Sequence, residues 1–203
     1  MAATDDLIPL FPMHAVLFPG AALPLHVFEE RYRLLVRERR DFGVLLIREG
    51  WEVGPGNGEN TFDIGTLATF EEVDPLPGGR FFVLVRGCRR FRLHSLSHDK
   101  PYLQGEVEWL EDPPKSARPR LLHLLRRYLE AYGVELSGDL AARKGTRAVW
   151  LAGSLLQVET AKRQELLECG DPMIAEQLVS DELIKLDGVG QLEPVRPLKV
   201  SPN

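Results

Sequence analysis

Leu7-Ile8-Pro9-Leu10-Phe11-Pro12-Met13-His14-Ala15-Val16-Leu17-Phe18-Pro19-Gly20, followed by Leu23-Pro24-Leu25-His26-Val27-Phe28-Glu29-Glu30-Arg31-Tyr32-Arg33, decides the reading of the chain. Two short apolar runs, each punctuated by proline, lead into a charged segment with an apolar stripe. Proline has no backbone donor, so strands that carry it are expected at sheet edges, or to end where the proline sits. Pro19-Gly20 reads as a turn, because proline presets one backbone angle and glycine accepts the left-handed one. From Phe28 onward, Phe28, Tyr32, Leu35 and Val36 recur at helical spacing, with Glu29, Glu30, Arg31, Arg33 and Arg37 on the other sides. The order strand, turn, strand, helix follows.

Working outward, Phe42 to Arg48 is a short apolar run of a buried strand, and Gly54 to Asn60 is a loop of glycine, proline and asparagine. Ile64–Phe70 and Arg80–Arg86 read as strands around a turn at Asp74–Gly79. In Arg90-Phe91-Arg92-Leu93 the apolar and basic residues alternate, and in Leu103 to Trp109 Leu103, Val107 and Trp109 oppose Glu106 and Glu108. Antiparallel pairing would set Arg90 and Arg92 against the two glutamates. Asp112 to Pro119 carries three prolines in eight residues and is expected to be a stiff connector.

Beyond it the pattern turns helical. Leu121, Leu122, Leu124, Leu125, Tyr128 and Leu129 form one stripe, closed by Gly133; Ala148, Leu151, Ala152, Leu155 and Leu156 form another. Thr160 is the expected cap of a third helix and Asp171-Pro172 the start of a fourth, with Ala175, Leu178, Val179, Leu183 and Leu186 on one face. The fold class is therefore α+β. Residues 1–112 form a β-rich lobe, a twisted and partly closed sheet with one helix, and 113–119 a proline-rich connector. Residues 120–186 form a helical bundle and 187–203 an extended tail. Trp109 and Trp150 read as core residues, one in each half.

The run Pro9 to Arg33 closely resembles the opening of the Lon N-terminal domain, the substrate-binding part of the Lon ATP-dependent proteases. Its marks are Pro12, Pro19-Gly20, Pro24-Leu25, Phe28-Glu29 and Arg31-Tyr32. Echoes follow at Phe42-Gly43-Val44, Ile64 to Ala68, Arg86 to Arg92 and Pro101-Tyr102-Leu103, so the resemblance runs from about Leu7 to Leu186. It implies a two-lobed fold and recognition of exposed apolar segments in unfolded or damaged polypeptides, as an adaptor or holding factor for a separate protease or chaperone. A similar domain in cereblon serves inside a larger ligase assembly, which implies the alternative of a scaffold for one folded partner.

The 44% hydrophobic and 27% charged content are those of an ordinary globular protein. A formal charge of −5 argues against a general nucleic-acid binder. The arginines at 86, 89, 90 and 92 and at 31, 33, 37, 39 and 40 cluster; solvated faces are the plainer reading, and a local anionic contact the sharper one. No secretory pattern and no membrane-length apolar run is present in the sequence, and Cys88 and Cys169 are far apart, which together point to a cytoplasmic protein with reduced thiols.

Catalytic chemistry finds little support. The phosphate loop of a Lon ATPase needs Gly, four residues, then Gly-Lys-Ser/Thr, and Arg143-Lys144-Gly145-Thr146 has the wrong order. Ser154 lies within a helical pattern, where its hydroxyl is expected to bond a backbone carbonyl. Cys88, beside Arg89-Arg90, is the one candidate for a small hydrolase, against the plainer reading of a small buried strand residue. His94 and His98 stand at a ligand spacing but in a strand running into a turn, so no metal and no cofactor is expected.

Binding surfaces are more promising. Trp51 and Phe62 border the glycine-rich loop and are the candidate substrate-binding residues; the competing reading folds them back over the sheet as lids. An edge left open by the prolines of the first strands is a further place for an added peptide strand.

Overall fold

A computed structural model of the chain describes residues 7–49, 60–112, 119–133 and 148–188. Six strands and five helices follow one another along these segments: β1 (Leu7–Met13), β2 (Ala22–Val27), α1 (Glu30–Glu38), β3 (Phe42–Leu46), β4 (Ile64–Leu76), β5 (Arg80–Ser97), β6 (Gln104–Trp109), α2 (Pro119–Ala131), α3 (Ala148–Leu155), α4 (Thr160–Cys169) and α5 (Pro172–Gly188). The class is α+β, and the opening reads strand, turn, strand, helix, with Gly20 at φ 82° in the turn. Residues 54–59 of the glycine-rich loop, 113–118 of the expected 113–119 connector and the tail beyond 188 lie outside the described residues, and Pro119 opens α2.

The sheet order is β2-β5-β4-β3-β1-β6, and β5 also pairs with β6. Five strands thus close into a small barrel, with β2 attached outside the ring. Only β1 and β3 run parallel; the other pairings are antiparallel. The 18-residue β5 makes this possible. Its first half, Phe81 to Arg86, pairs with β2, and its second half, Phe91 to Ser97, with β6, while β4 runs along its other side. The sequence suggested two strands broken near Gly87; the structure has one. β4 likewise continues through Asp74-Pro75-Leu76, leaving only Pro77–Gly79 as the connecting turn.

β1 corrects the expectation that proline marks an edge, since it has neighbours on both sides. Residues 7 to 9 pair with β6, and residues 10 to 13 with β3. Leu10 N–H donates to Leu103 on the β6 side, at 2.7 Å. By alternation Pro12 would point its missing donor to that side, where β6 has already departed, and Pro9 would point toward β3 before β3 begins. Both prolines thus sit where no ladder bond is lost. β2 does obey the rule. Ala21 C=O accepts from Gly87 N–H at 2.9 Å, so the backbone groups of Ala22, Pro24 and His26 face away from β5 into the open edge.

Alternation also sorts the core. Ile8, Leu10, Leu45, Phe91, Leu103 and Val107 fill the barrel. The interior is so narrow that a Cβ on Gly43 would meet the Phe91 ring at 2.5 Å. Outside the barrel, Met13, Val44, Ala68 and Val85 pack beneath α1 through Tyr32, Leu35 and Val36, the stripe expected from spacing. Phe28 is not part of that stripe: it precedes the helix and is 49% exposed. Arg39 closes α1 at φ 53°, the one described non-glycine residue with a positive φ. A side chain in that left-handed conformation costs about 1–2 kcal/mol relative to glycine.

Helices α2 to α5 cover the other end, where Leu121, Leu125, Trp150, Leu166 and Val179 are buried with Val16, Phe18 and Ile64 from the β-rich part. The Phe18 ring lies against Gly153, where a Cβ would overlap it, and 6.1 Å from the Trp150 ring. Ser154 Oγ donates to Leu151 C=O at 2.9 Å, Asp171 caps α5 by accepting from Met173 N–H at 2.8 Å, and Gly133 follows α2 at φ 68°. The cap of α4 is Glu159 rather than Thr160, and its side chain makes no capping bond.

The charge-matched register is realised in half. Arg92 opposes Glu108, with 4.0 Å between Nε and Oε2, but an irregularity between Leu93 and Ser95 brings Ser95 opposite Glu106, and its hydroxyl donates there at 2.9 Å. Arg90 is buried and turned toward the helices. It donates to Leu167 C=O at 2.7 Å, Glu168 C=O at 3.1 Å and Glu111 C=O at 2.8 Å, and lies over the Trp150 ring at 4.8 Å. The open last-turn carbonyls of α4 are natural acceptors for a cation.

Candidate binding site

Beside the open edge of β2 lies a cavity of about 310 Å³, framed by Phe11 and Met13 of β1, Leu23 and Leu25 of β2, and Phe28 and Tyr32. Its size is at the lower end of ligand pockets, about 300–1,000 Å³. Each wall has a local cause. The alternation of β2 turns Leu23, Leu25 and Val27 inward and Ala22, Pro24 and His26 outward. Phe11, two residues before Met13 on the same face of β1, stacks on Tyr32 with ring centroids 3.8 Å apart and planes 14° apart. Phe42 continues that aromatic row, 5.5 Å from Phe11 on one side and 5.5 Å from Phe70 on the other. At the rim, Phe28 stands 5.9 Å from the His26 ring, and Glu29 pairs with Arg31 at 3.1 Å.

The site therefore combines an aromatic floor, one half-exposed aromatic at its lip, and a strand edge whose outward N–H and C=O groups lack a sheet partner among the described residues. Such a surface suits an extended apolar segment. The residues brought together come from positions 11 to 32, and the exposed His26 is among them.

Of the residues singled out from the sequence, the described ones lie elsewhere. Trp51 is outside the described residues. Phe62 is half buried against the helical cluster, its N–H donating to Leu46 C=O at 2.9 Å and the Arg48 guanidinium lying 4.0 Å over its ring. Trp150 is buried, whereas Trp109 is half buried where β6 ends, 6.3 Å from the Phe91 ring and under Arg89 at 5.3 Å.

Cys88 was read as a buried strand residue; it is exposed, because the alternation of β5 buries Gly87 instead. Its sulfur lies 3.3 Å from Thr69 Oγ1 and 3.6 Å from Arg86 C=O. His94 Nε2 meets Glu108 Oε2 at 3.3 Å. Among the described residues no group of three or more His, Cys, Asp or Glu side chains is placed to hold a metal, and no helix is long and apolar enough to cross a membrane.

Comparison with known proteins gives a consistent result. The model of the ATP-dependent protease La (LON) substrate-binding domain matches residues 7–185. The Lon protease of Koribacter versatilis is 30% identical over 94% of this chain, which spans 25% of that protein. That of Lawsonia intracellularis is 27% identical over 87% of the chain, which spans 23% of it. Among solved structures, the Lon N-terminal domain protein from Xanthomonas campestris is 32% identical, with a TM-score of 0.63, covering 86% of this chain and 97% of its own. The N-terminal domain of the Mycobacterium avium complex Lon protease, 18% identical with a TM-score of 0.56 over 86% of this chain and 96% of its own, shares the fold.

Proposed function

The chain belongs to the family of ATP-dependent protease La (LON) substrate-binding domains, and we propose that it recognises exposed apolar segments of unfolded or damaged polypeptides at the groove beside β2. One observation carries this reading: a 49%-exposed Phe28 stands over a floor of Phe11, Leu25 and Tyr32, next to an open strand edge. An extended segment laid along that edge bonds to the outward groups of Ala22 and His26 and to the C=O of Pro24, while alternate side chains enter the groove. Backbone bonding makes the recognition tolerant of sequence, and the groove selects for apolarity. Neither step needs nucleotide hydrolysis or peptide cleavage. The module acts in the cytoplasm and delivers substrates to a separate protease or holds them. The proline-rich connector, which passes into α2 at Pro119, joins its two lobes, and Trp51 and Phe62 offer a second contact beside the loop between β3 and β4.

The test is fluorescence anisotropy of a labelled, permanently unfolded polypeptide titrated with the chain, with a disulfide-intact version of the same polypeptide as control and no nucleotide. Saturable binding of the unfolded form alone is expected. Phe28→Ser removes about 1 kcal/mol of apolar contact, hence about fivefold in affinity, with the melting temperature unchanged because the ring is half in solvent. Absence of binding at tens of micromolar, or equal binding of both forms, would refute the reading.

A further inference from the structure

At the barrel mouth where β1 starts and β6 ends, a second cavity of about 490 Å³ lies by the C-terminal end of α1, the end away from Phe28. Leu7, Ile8, Leu67 and Trp109 give it apolar walls, and Arg39, Arg40 and Asp41 stand together at its entrance. Barrel mouths are recurrent ligand sites, but this one carries a feature that packing does not explain. Arg39 occupies the left-handed position that ends α1, at φ 53°, where glycine would be unstrained. Backbone strain of this kind gathers at functional sites. Arg40 stands close to Tyr102, whose hydroxyl donates to Glu38 at 2.8 Å. Asp41 is exposed as a residue, and partial burial of its carboxyl raises that group above its ordinary range.

We propose that this mouth binds the carboxyl-terminal end of a polypeptide whose last residue is apolar. The guanidinium groups of Arg39 and Arg40 take the chain-end carboxylate, as arginine forks do. The Asp41 carboxylate accepts the last amide N–H, and the terminal side chain enters between Leu67, Ile8 and Trp109. The mixed set of charges selects for this ligand: two cations suit a single carboxylate, and Asp41 repels a dianion such as a phosphate ester. The assignment extends the polypeptide-recognition reading from internal segments to chain ends, and rests on it for the class of substrate.

The experiment is isothermal titration of the whole chain with acetyl-Gly-Ala-Phe as the free acid, as its carboxyl-terminal amide, and with 3-phenylpropanoate. The free acid is expected to bind at least tenfold more tightly than either of the others. Arg39→Gly is the informative variant, because it relieves strain: its melting temperature should stay or rise while affinity for the free acid falls at least tenfold. Free acid and amide binding alike, no binding of the free acid at millimolar concentration, or wild-type affinity in Arg39→Gly would each overturn the proposal. Equal binding of 3-phenylpropanoate would overturn the chain-end assignment in favour of small aromatic carboxylates. The same preparation is titrated with an unfolded polypeptide amidated at its end. Binding there without tripeptide binding sinks the chain-end site alone, and tripeptide binding without it sinks the groove reading alone.

Discussion

Replacing Arg90 by methionine should destabilise the protein by about 3 kcal/mol, and the value can be worked from its contacts. The guanidinium donates to the carbonyls of Leu167, Glu168 and Glu111 and lies on Trp150. Methionine keeps most of the volume and the apolar contact but donates nothing. Each carbonyl left without a partner costs about 1–3 kcal/mol when shielded. Only the Leu167 bond is fully buried; water can reach the other two acceptors, which lowers their share. Returning a buried cation's desolvation cost offsets some of the rest. The balance is about 3 kcal/mol, or about 6–12 °C in melting temperature for a chain of this size. Urea unfolding followed by tryptophan fluorescence measures it directly. Arg90→Lys keeps the charge but offers one donor centre in place of a fork, and should recover about a third of the loss. A methionine variant within about 1 kcal/mol of wild type would show that the α4 carbonyls do not depend on this arginine, and the inferred clasp between the β-rich part and the helices would fail.

Two further outcomes are expected. Gly153→Ala should destabilise by about 1–3 kcal/mol, despite alanine's better helix propensity, because the new methyl group meets the Phe18 ring; adding Phe18→Leu should restore part of the loss in the same urea assay. Burial pushes the Tyr128 hydroxyl up to about 12, while it accepts a bond from Gln157 N–H at 2.9 Å. The unfolded chain then releases this proton first, so the contribution to stability is complete below pH 10 and is lost as pH rises toward 12. Melting temperature against pH should fall less steeply in Tyr128→Phe than in wild type over that window, and parallel curves would contradict the assignment.

The opening strands, the turn at Pro19-Gly20 and the stripe of α1 were legible because they depend on local rules: proline chemistry, glycine's tolerance of positive φ, and spacing along a helix. Asp171 was legible as a cap for the same reason. What sequence could not reveal was set by partners far away in the chain. Arg90 and Arg92 look alike in alternation, yet one faces solvent and the other the end of α4, 77 residues on. The continuous β5 hid behind Gly87, which pattern reading takes for a break and which the fold uses for a close approach to the β1–β2 connection. The groove was half visible. The open edge followed from the prolines, but Phe28 was assigned to the helix stripe because it sits one helical turn before Tyr32. Its position just before the helix cap, as the last residue after an alternating strand, was the signal that it belongs to β2's surroundings instead. The barrel mouth left only the paired arginines after α1 as a trace.

Barrel closure also has a consequence for how the chain is made. Leu7 pairs with Glu106 and Ile8 with Gly105, and Arg90 finds its acceptors only at Leu167 and Glu168. Contacts of such sequence separation cannot form while a ribosome still holds the middle of the chain, and they slow folding by the entropy of the loop they enclose. Residues 10 to 13 of β1 can meet β3 early, but Leu7 to Pro9 wait for β6 and the whole of β2 waits for β5, so apolar strand surface stays uncovered until those segments emerge. A protein proposed to hold the exposed apolar segments of others is, for that interval, a substrate of the same kind.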